Sequence, residues 1–235
     1  MIPSKRLTDL RDFYSLLGVL AEKSNYRLLS NCSGRLQWPR RGVYFFFEDG
    51  ESRSASGIGP RVVRIRTHAL TESSKTTLWK RLSQHRDQER SGGGNHRGSI
   101  FRLIVGTALI ARHGYNVPTW GAGSTARSDI RILEHELERE VSKTISAMPF
   151  QWVCIDDLPG ATSSRGYIER NAIALLSNFE RSPIDLPSAE WLGHKCNRDR
   201  VRRSGLWNQN HVDESYEAGF LSRFEGFVRQ AESDR

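Results

Sequence analysis

The chain is short of cysteine and of acidic side chains, and it has no long apolar run. Its three cysteines, Cys32, Cys154 and Cys196, are far apart and odd in number. They therefore make neither a disulfide framework nor a zinc-ligand spacing, and a reducing cytoplasm suits them. The longest apolar run, 104–111, is far below the ~20 residues that a membrane-spanning helix needs. Met1-Ile2-Pro3-Ser4-Lys5-Arg6 leads into an amphipathic pattern rather than an apolar signal core. These absences predict a soluble cytoplasmic protein with no membrane partner. The acidic shortage is as informative: 27 Asp+Glu against 35 Lys+Arg leave a net charge of +8 with His neutral. Such a balance favours nucleic acid or another anionic partner, and speaks to association rather than to fold.

What the chain does contain is enough apolar material for a core: 37% hydrophobic and 26% charged residues over 235 positions. That excludes wholesale disorder and fits one decorated domain, or at most two small ones. Leu7, Leu10, Phe13, Leu17 and Leu20 recur at helical spacing. The aromatic stretch 42–47 reads as a buried strand, and 61–67 alternates as a second, so the two pair most simply as an antiparallel hairpin. A helix is predicted over 76–86, then a break at Gly92-Gly93-Gly94, then helices over 100–112 and 128–147. A third strand is expected at 150–155 and a helix over 163–177 with Ser163 or Ser164 as N-cap. Two more helices are predicted around 197–204 and 213–230. The class is α+β, a small antiparallel sheet flanked by helices.

Within this frame, a few residues carry chemistry. Arg81 offers a permanently charged planar fork suited to phosphate oxygens, and His85 follows four residues later. On a continuous helix the pair lies about 40° apart on one face, one turn along, where His85 can accept a proton near neutral pH. An amphipathic surface helix accounts for the same pattern. Glu169 falls roughly 60° from the centre of the apolar stripe formed by Ile168, Ala172, Leu175, Leu176 and Phe179. A carboxylate there is costly unless paired, protonated or bound to a metal. A salt bridge, for instance to Arg165, and a metal site are both consistent with it, since Mg²⁺ takes as few as one or two protein carboxylates. Asn178 joins such a site if the helix ends before it, and otherwise reads as a C-cap. Tyr44 is either a core aromatic or a catalytic phenol.

Taken in order, Gly42-Val43-Tyr44, then Leu78, Arg81, Leu82 and His85, then Tyr167-Ile168-Glu169 and Asn178 resemble the GIY-YIG nuclease family, and the inserted, decorated form looks more like its restriction-endonuclease branch. The resemblance spans roughly 41–178 and implies a three-stranded antiparallel sheet with flanking helices. It divides the chain into a helical N-terminal extension (1–38), a nuclease domain (39–182) with a helical insertion at about 92–147, and a helical C-terminal extension (183–235). By resemblance Tyr44 acts as or relays to the general base, Arg81 stabilises the transition state, His85 assists proton transfer, and Asn178 organises the site. Glu169 would hold one Mg²⁺ or Mn²⁺ ion. Where the second half of the family motif carries a tyrosine and a glycine, this strand reads Val63-Arg64-Ile65-Arg66, and no tyrosine lies between Tyr44 and Tyr115.

Basic residues that would meet the phosphate backbone are Arg64, Arg66, Lys80, Arg86, His96 and Arg97. The leading expectation is a divalent-metal-dependent endonuclease that hydrolyses DNA phosphodiester bonds in restriction, defence or repair. The alternative is a catalytically degenerate member of the fold that binds nucleic acid without cutting it. Symmetric cleavage of both strands would suggest a two-fold homodimer.

Overall fold

The computed structural model describes residues 4–86 and 93–233; Met1 to Pro3 and Gly92, which enter the expectations above, lie outside them. Helix α1 (Lys5–Ser24) starts where Ser4 accepts a hydrogen bond from the Leu7 amide, and it buries Leu10, Phe13, Tyr14, Leu17 and Leu20. The strands are β1 (Arg27–Leu28), β2 (Gly42–Ser52), β3 (Pro60–Arg66) and β4 (Pro149–Cys154). They form a four-stranded antiparallel sheet in the order β1-β4-β2-β3. Three of these strands are the expected ones. The fourth, β1, has only two residues and covers the outer edge of β4. Among the described residues, no helix is long and apolar enough to cross a membrane.

The sheet divides the core in two. On one face Val43, Phe45, Val62, Ile65 and Val153 pack against α1, α5 (Ser164–Leu176) and α7 (Phe220–Ser233). On the other, Tyr44, Phe46, Val63 and Phe150 pack against α3 (Ile100–His113) and α4 (Ser128–Ser146). The helices expected as an N-terminal extension, an insertion and a C-terminal extension are thus all parts of the two layers that bury this one sheet. The register shifts between Phe46 and Phe47, where Phe46 pairs with Arg64 but Phe47 with Val62. The extra residue, Val63, is a β-bulge. Beyond it, Arg64 and Arg66 stand on the same face as Phe46 and Tyr44, their direct partners.

Gly42 is required by close approach, because a Cβ there would lie 2.4 Å from the Val153 carbonyl oxygen. Its own carbonyl accepts the Thr67 hydroxyl, which ties the start of β2 to the end of β3. The free edge of β3 is sealed by the chain after α6 (Asp199–Ser204). The Trp207 amide donates to Val63 O at 2.7 Å. Asn208 accepts from Ile65 N at 3.1 Å and donates to Ile65 O at 2.8 Å, so its amide mimics a strand residue at that point of the edge.

Candidate active site at the β2–β3 end of the sheet

The predicted helix over 76–86 shortens to α2 (Leu78–Leu82), capped by the Thr77 side chain. Arg81 lies on it and His85 in the turn beyond, so the two do not share a helix face. Non-local bonds hold His85 instead. Its Nε2 is 3.1 Å from the Tyr44 hydroxyl and its Nδ1 2.9 Å from Ser99 Oγ. Its carbonyl accepts from Arg102 Nη1 at 2.9 Å. Ser99 is the N-cap of α3, accepting from the Arg102 amide, so the start of that helix positions the imidazole. The ring also stands edge-on to Phe101, with centroids 5.5 Å apart.

Electrostatics complete the picture. Burial holds the His85 imidazole well below its ordinary value, and the charges of Arg81, Arg64, Arg102 and Arg66 add to the effect. His85 is therefore neutral at neutral pH. One of its ring nitrogens carries the proton, and the Tyr44 and Ser99 hydroxyls take the complementary donor and acceptor roles. Arg81 is half-buried, with Nη1 donating to Gln84 Oε1 at 2.6 Å.

Arg66 is the cross-strand partner of Tyr44, and its Nη1 donates to Glu169 Oε1 at 2.9 Å. Glu169 sits on α5, which packs on the opposite face of the sheet, and reaches Arg66 around the end of β3. Its side chain is 1% exposed, against 28% for Arg66. The carboxylate raises the Arg66 guanidinium above its ordinary value, against the opposing effect of burial. Arg165, the partner anticipated for Glu169, is instead paired with Asp157 and donates to the His68 and Ala69 carbonyls. Tyr44, His85, Arg66 and Glu169 thus form one chain of contacts. Arg81 is close enough for its charge to act on both His85 and Arg64.

Glu169 also lines a cleft of about 300 Å³ with Gly166, Tyr167, Arg170, His211 and Arg223. Among the described residues no group of three or more His, Cys, Asp or Glu side chains is arranged to hold a metal. The donor set that remains, one buried carboxylate with only Oε1 hydrogen-bonded among the described residues, fits a divalent cation that keeps most of its waters.

The other expected site residues are placed differently. Asn178 lies past the C-terminus of α5, and its amide is used in the fold. Oδ1 accepts from Ile184 N at 2.9 Å and Arg6 Nη2 at 3.0 Å, while Nδ2 donates to Ile184 O at 3.0 Å. Arg64 is buried against the Phe101 ring, 4.3 Å from its centroid, and donates to the Trp207 carbonyl. Burial pulls its guanidinium down to about 9, which leaves it charged at neutral pH. His96 and Arg97 belong to an internal network rather than to a surface facing phosphate. His96 Nδ1 is 2.8 Å from Glu138 Oε1, and Arg97 Nη1 is 2.6 Å from Glu134 Oε2. Arg86 donates to Cys32 O at 2.7 Å, and Lys80 is exposed.

Sequence reasoning missed three residues here. Ser99 carried the ordinary signal of an N-cap, but nothing local linked it to His85. Arg102 is fully buried, and its Nε bonds Glu138 Oε2 at 2.9 Å. Burial would raise Glu138, yet the bonds from His96 and Arg102 more than offset this and hold it below the usual carboxylate range. His68, two residues past Arg66, is buried and pushed down to about 4 by burial, Arg165 and then Arg81.

A family model described as GIY-YIG domain matches residues 4–234 of the chain. No curated protein and no solved structure matches it.

Proposed function

The chain belongs to the GIY-YIG family, a family of nucleases, and from that premise we propose that it is a divalent-metal-dependent endonuclease acting on DNA. The observation that carries this reading is the contact chain from His85 through Tyr44 and the paired strands to Arg66 and Glu169. In it the Tyr44 phenol gives its proton to the neutral His85 imidazole, whose other nitrogen Ser99 fixes, as its oxygen takes the proton of the attacking water. Arg81 neutralises charge on the pentavalent phosphorus. Glu169 holds Mg²⁺ or Mn²⁺, which when bound supplies Lewis-acid stabilisation of the phosphate and leaving oxygens. Lys80 and Arg81, on the outer side of α2, contact the phosphate backbone, while Arg64 and Asn178 support the site through the fold. A role in restriction, defence or repair, in the cytoplasm, belongs to the same proposal.

One observation favours the second reading, a binder that does not cut. Arg64 and Arg66 stand where the family motif has tyrosine and glycine, and Arg66 neutralises the one carboxylate expected to bind metal. Cleavage of supercoiled plasmid and mixed genomic DNA with Mg²⁺ or Mn²⁺, wild type beside Glu169→Ala, decides between them. Metal-dependent cleavage that vanishes in the variant supports the nuclease. Salt-sensitive DNA binding without cleavage by either protein supports the degenerate member.

A further inference from the structure

A buried carboxylate is costly unless it is paired with a cation, protonated or hydrogen-bonded. For Glu169 that cation is Arg66, whose Nη1 lies 2.9 Å from Oε1. The neighbouring buried guanidinia are committed elsewhere, Arg165 to Asp157 and three carbonyls, Arg64 to the Trp207 carbonyl. Arg66 itself is lightly held. Its Nε is buried with no hydrogen-bond partner, and Glu169 is the one acceptor found for its guanidinium among the described residues. Beside it lies a cleft of about 70 Å³ bordered by Arg64, Asn208, Gln209 and Asn210, and with 28% exposure the side chain has a path outward.

We propose that Arg66 occupies the cation position of Glu169, so that its guanidinium and a divalent metal ion exclude one another there and Arg66 gates metal loading. The inference deepens the nuclease reading, since it rests on Glu169 being the metal ligand. Two cations at one buried carboxylate repel, and the carboxylate needs only one. A metal ion arriving at Glu169 therefore bears the cost of displacing Arg66. Position 66 is where the family motif has glycine, which has no side chain to reach the carboxylate.

The test is Mn²⁺ binding to the full chain without DNA, read from the paramagnetic resonance signal of the free ion, in wild type, Arg66→Gln and Arg66→Ala. Removing an internal competitor is a coupling of roughly 5- to 150-fold. Arg66→Gln is therefore expected to bind Mn²⁺ at least about tenfold more tightly than wild type, with the gain lost on adding Glu169→Gln. Equal affinities, or a gain that survives Glu169→Gln, would overturn the proposal. Should both Arg66 variants fail to fold, the wild type still decides it. The Arg66–Glu169 pair, followed by NMR of the arginine side chain, must open on saturation with Mg²⁺, and a pair that persists overturns the gate. Cleavage by wild type with no affinity gain in Arg66→Gln would remove the gate and leave the nuclease reading intact. An affinity gain without cleavage by either protein would keep the gate and remove the nuclease.

Discussion

Ser99→Ala tests whether the start of α3 positions His85. The hydroxyl caps α3 by accepting from Arg102 N at 3.3 Å and meets His85 Nδ1 at 2.9 Å, and the residue is 1% exposed. Loss of an N-cap costs about 1 kcal/mol. A buried imidazole nitrogen left without a partner costs about 1–2 kcal/mol more. The sum, about 2–3 kcal/mol, should appear as a lower urea midpoint with an unchanged slope. Ser99→Thr keeps the hydroxyl and should stay within about 1 kcal/mol of wild type. The functional consequence goes beyond stability: with Nδ1 unheld the ring loses its fixed tautomer, and plasmid cleavage at a temperature where the variant is folded should fall by roughly 10- to 100-fold, as when an orienting hydrogen bond behind an active group is removed. A midpoint shift worth less than about 0.5 kcal/mol, or an alanine variant as active as the threonine one, would refute the positioning argument.

Other perturbations have separable outcomes. Arg81→Ala, on the half-buried outer side of α2, should leave stability within about 0.5 kcal/mol but reduce cleavage by roughly 10²- to 10³-fold, measured by plasmid nicking beside a thermal melt. Glu138→Gln breaks a buried pair with Arg102 and His96, so denaturation should show a loss of about 3–5 kcal/mol. Acid should also weaken the fold through its buried histidines. The folded values of His85 and His68 lie below the unfolded ~6.5, so the unfolded chain binds more protons in that range and stability falls as pH drops from ~6.5 toward about 4. His68→Gln should flatten that slope in denaturation curves taken at successive pH values, and an unchanged slope would show that His68 does not contribute.

Much of this fold was legible because its signals are local. The apolar spacing of α1 and the capped pattern of α5 formed the expected helices, and the aromatic run of β2 starts at the expected Gly42, although the strand continues to Ser52 rather than ending at 47. The failures share a cause. The helix over 76–86 stops at Leu82 because His85 is pulled out by bonds to Tyr44, Ser99 and Arg102, 14 to 41 residues away in the chain. Glu169 announced itself as a carboxylate off its apolar stripe, but its partner lies 103 residues away on a strand, β3. His96 and Arg97 read as phosphate contacts, and only the packing of α4 shows that they pair with Glu138 and Glu134. Local pattern told where charges were unusual; it did not tell what they would meet.

The departure from the family motif at Arg64 and Arg66 follows the same division. The β-bulge at Val63 turns both arginines to the Tyr44 face, yet their surroundings differ. Arg64 is a strut. Its guanidinium lies over Phe101 and holds the Trp207 carbonyl, which joins the C-terminal segment to the edge of β3. Replacing it leaves a hole beneath a large aromatic and should act first on folding. Arg66 is partly exposed, bonded to one carboxylate, and beside open space. Replacing it should act first on what binds at Glu169. If the missing tyrosine were the sole obstacle to catalysis, Arg64→Tyr alone would restore cleavage to a silent chain. The position of Arg66 argues otherwise, because the carboxylate would remain neutralised. Restoration should require Arg66→Gly as well, and the double variant compared with each single one in metal-dependent plasmid nicking separates the two obstacles.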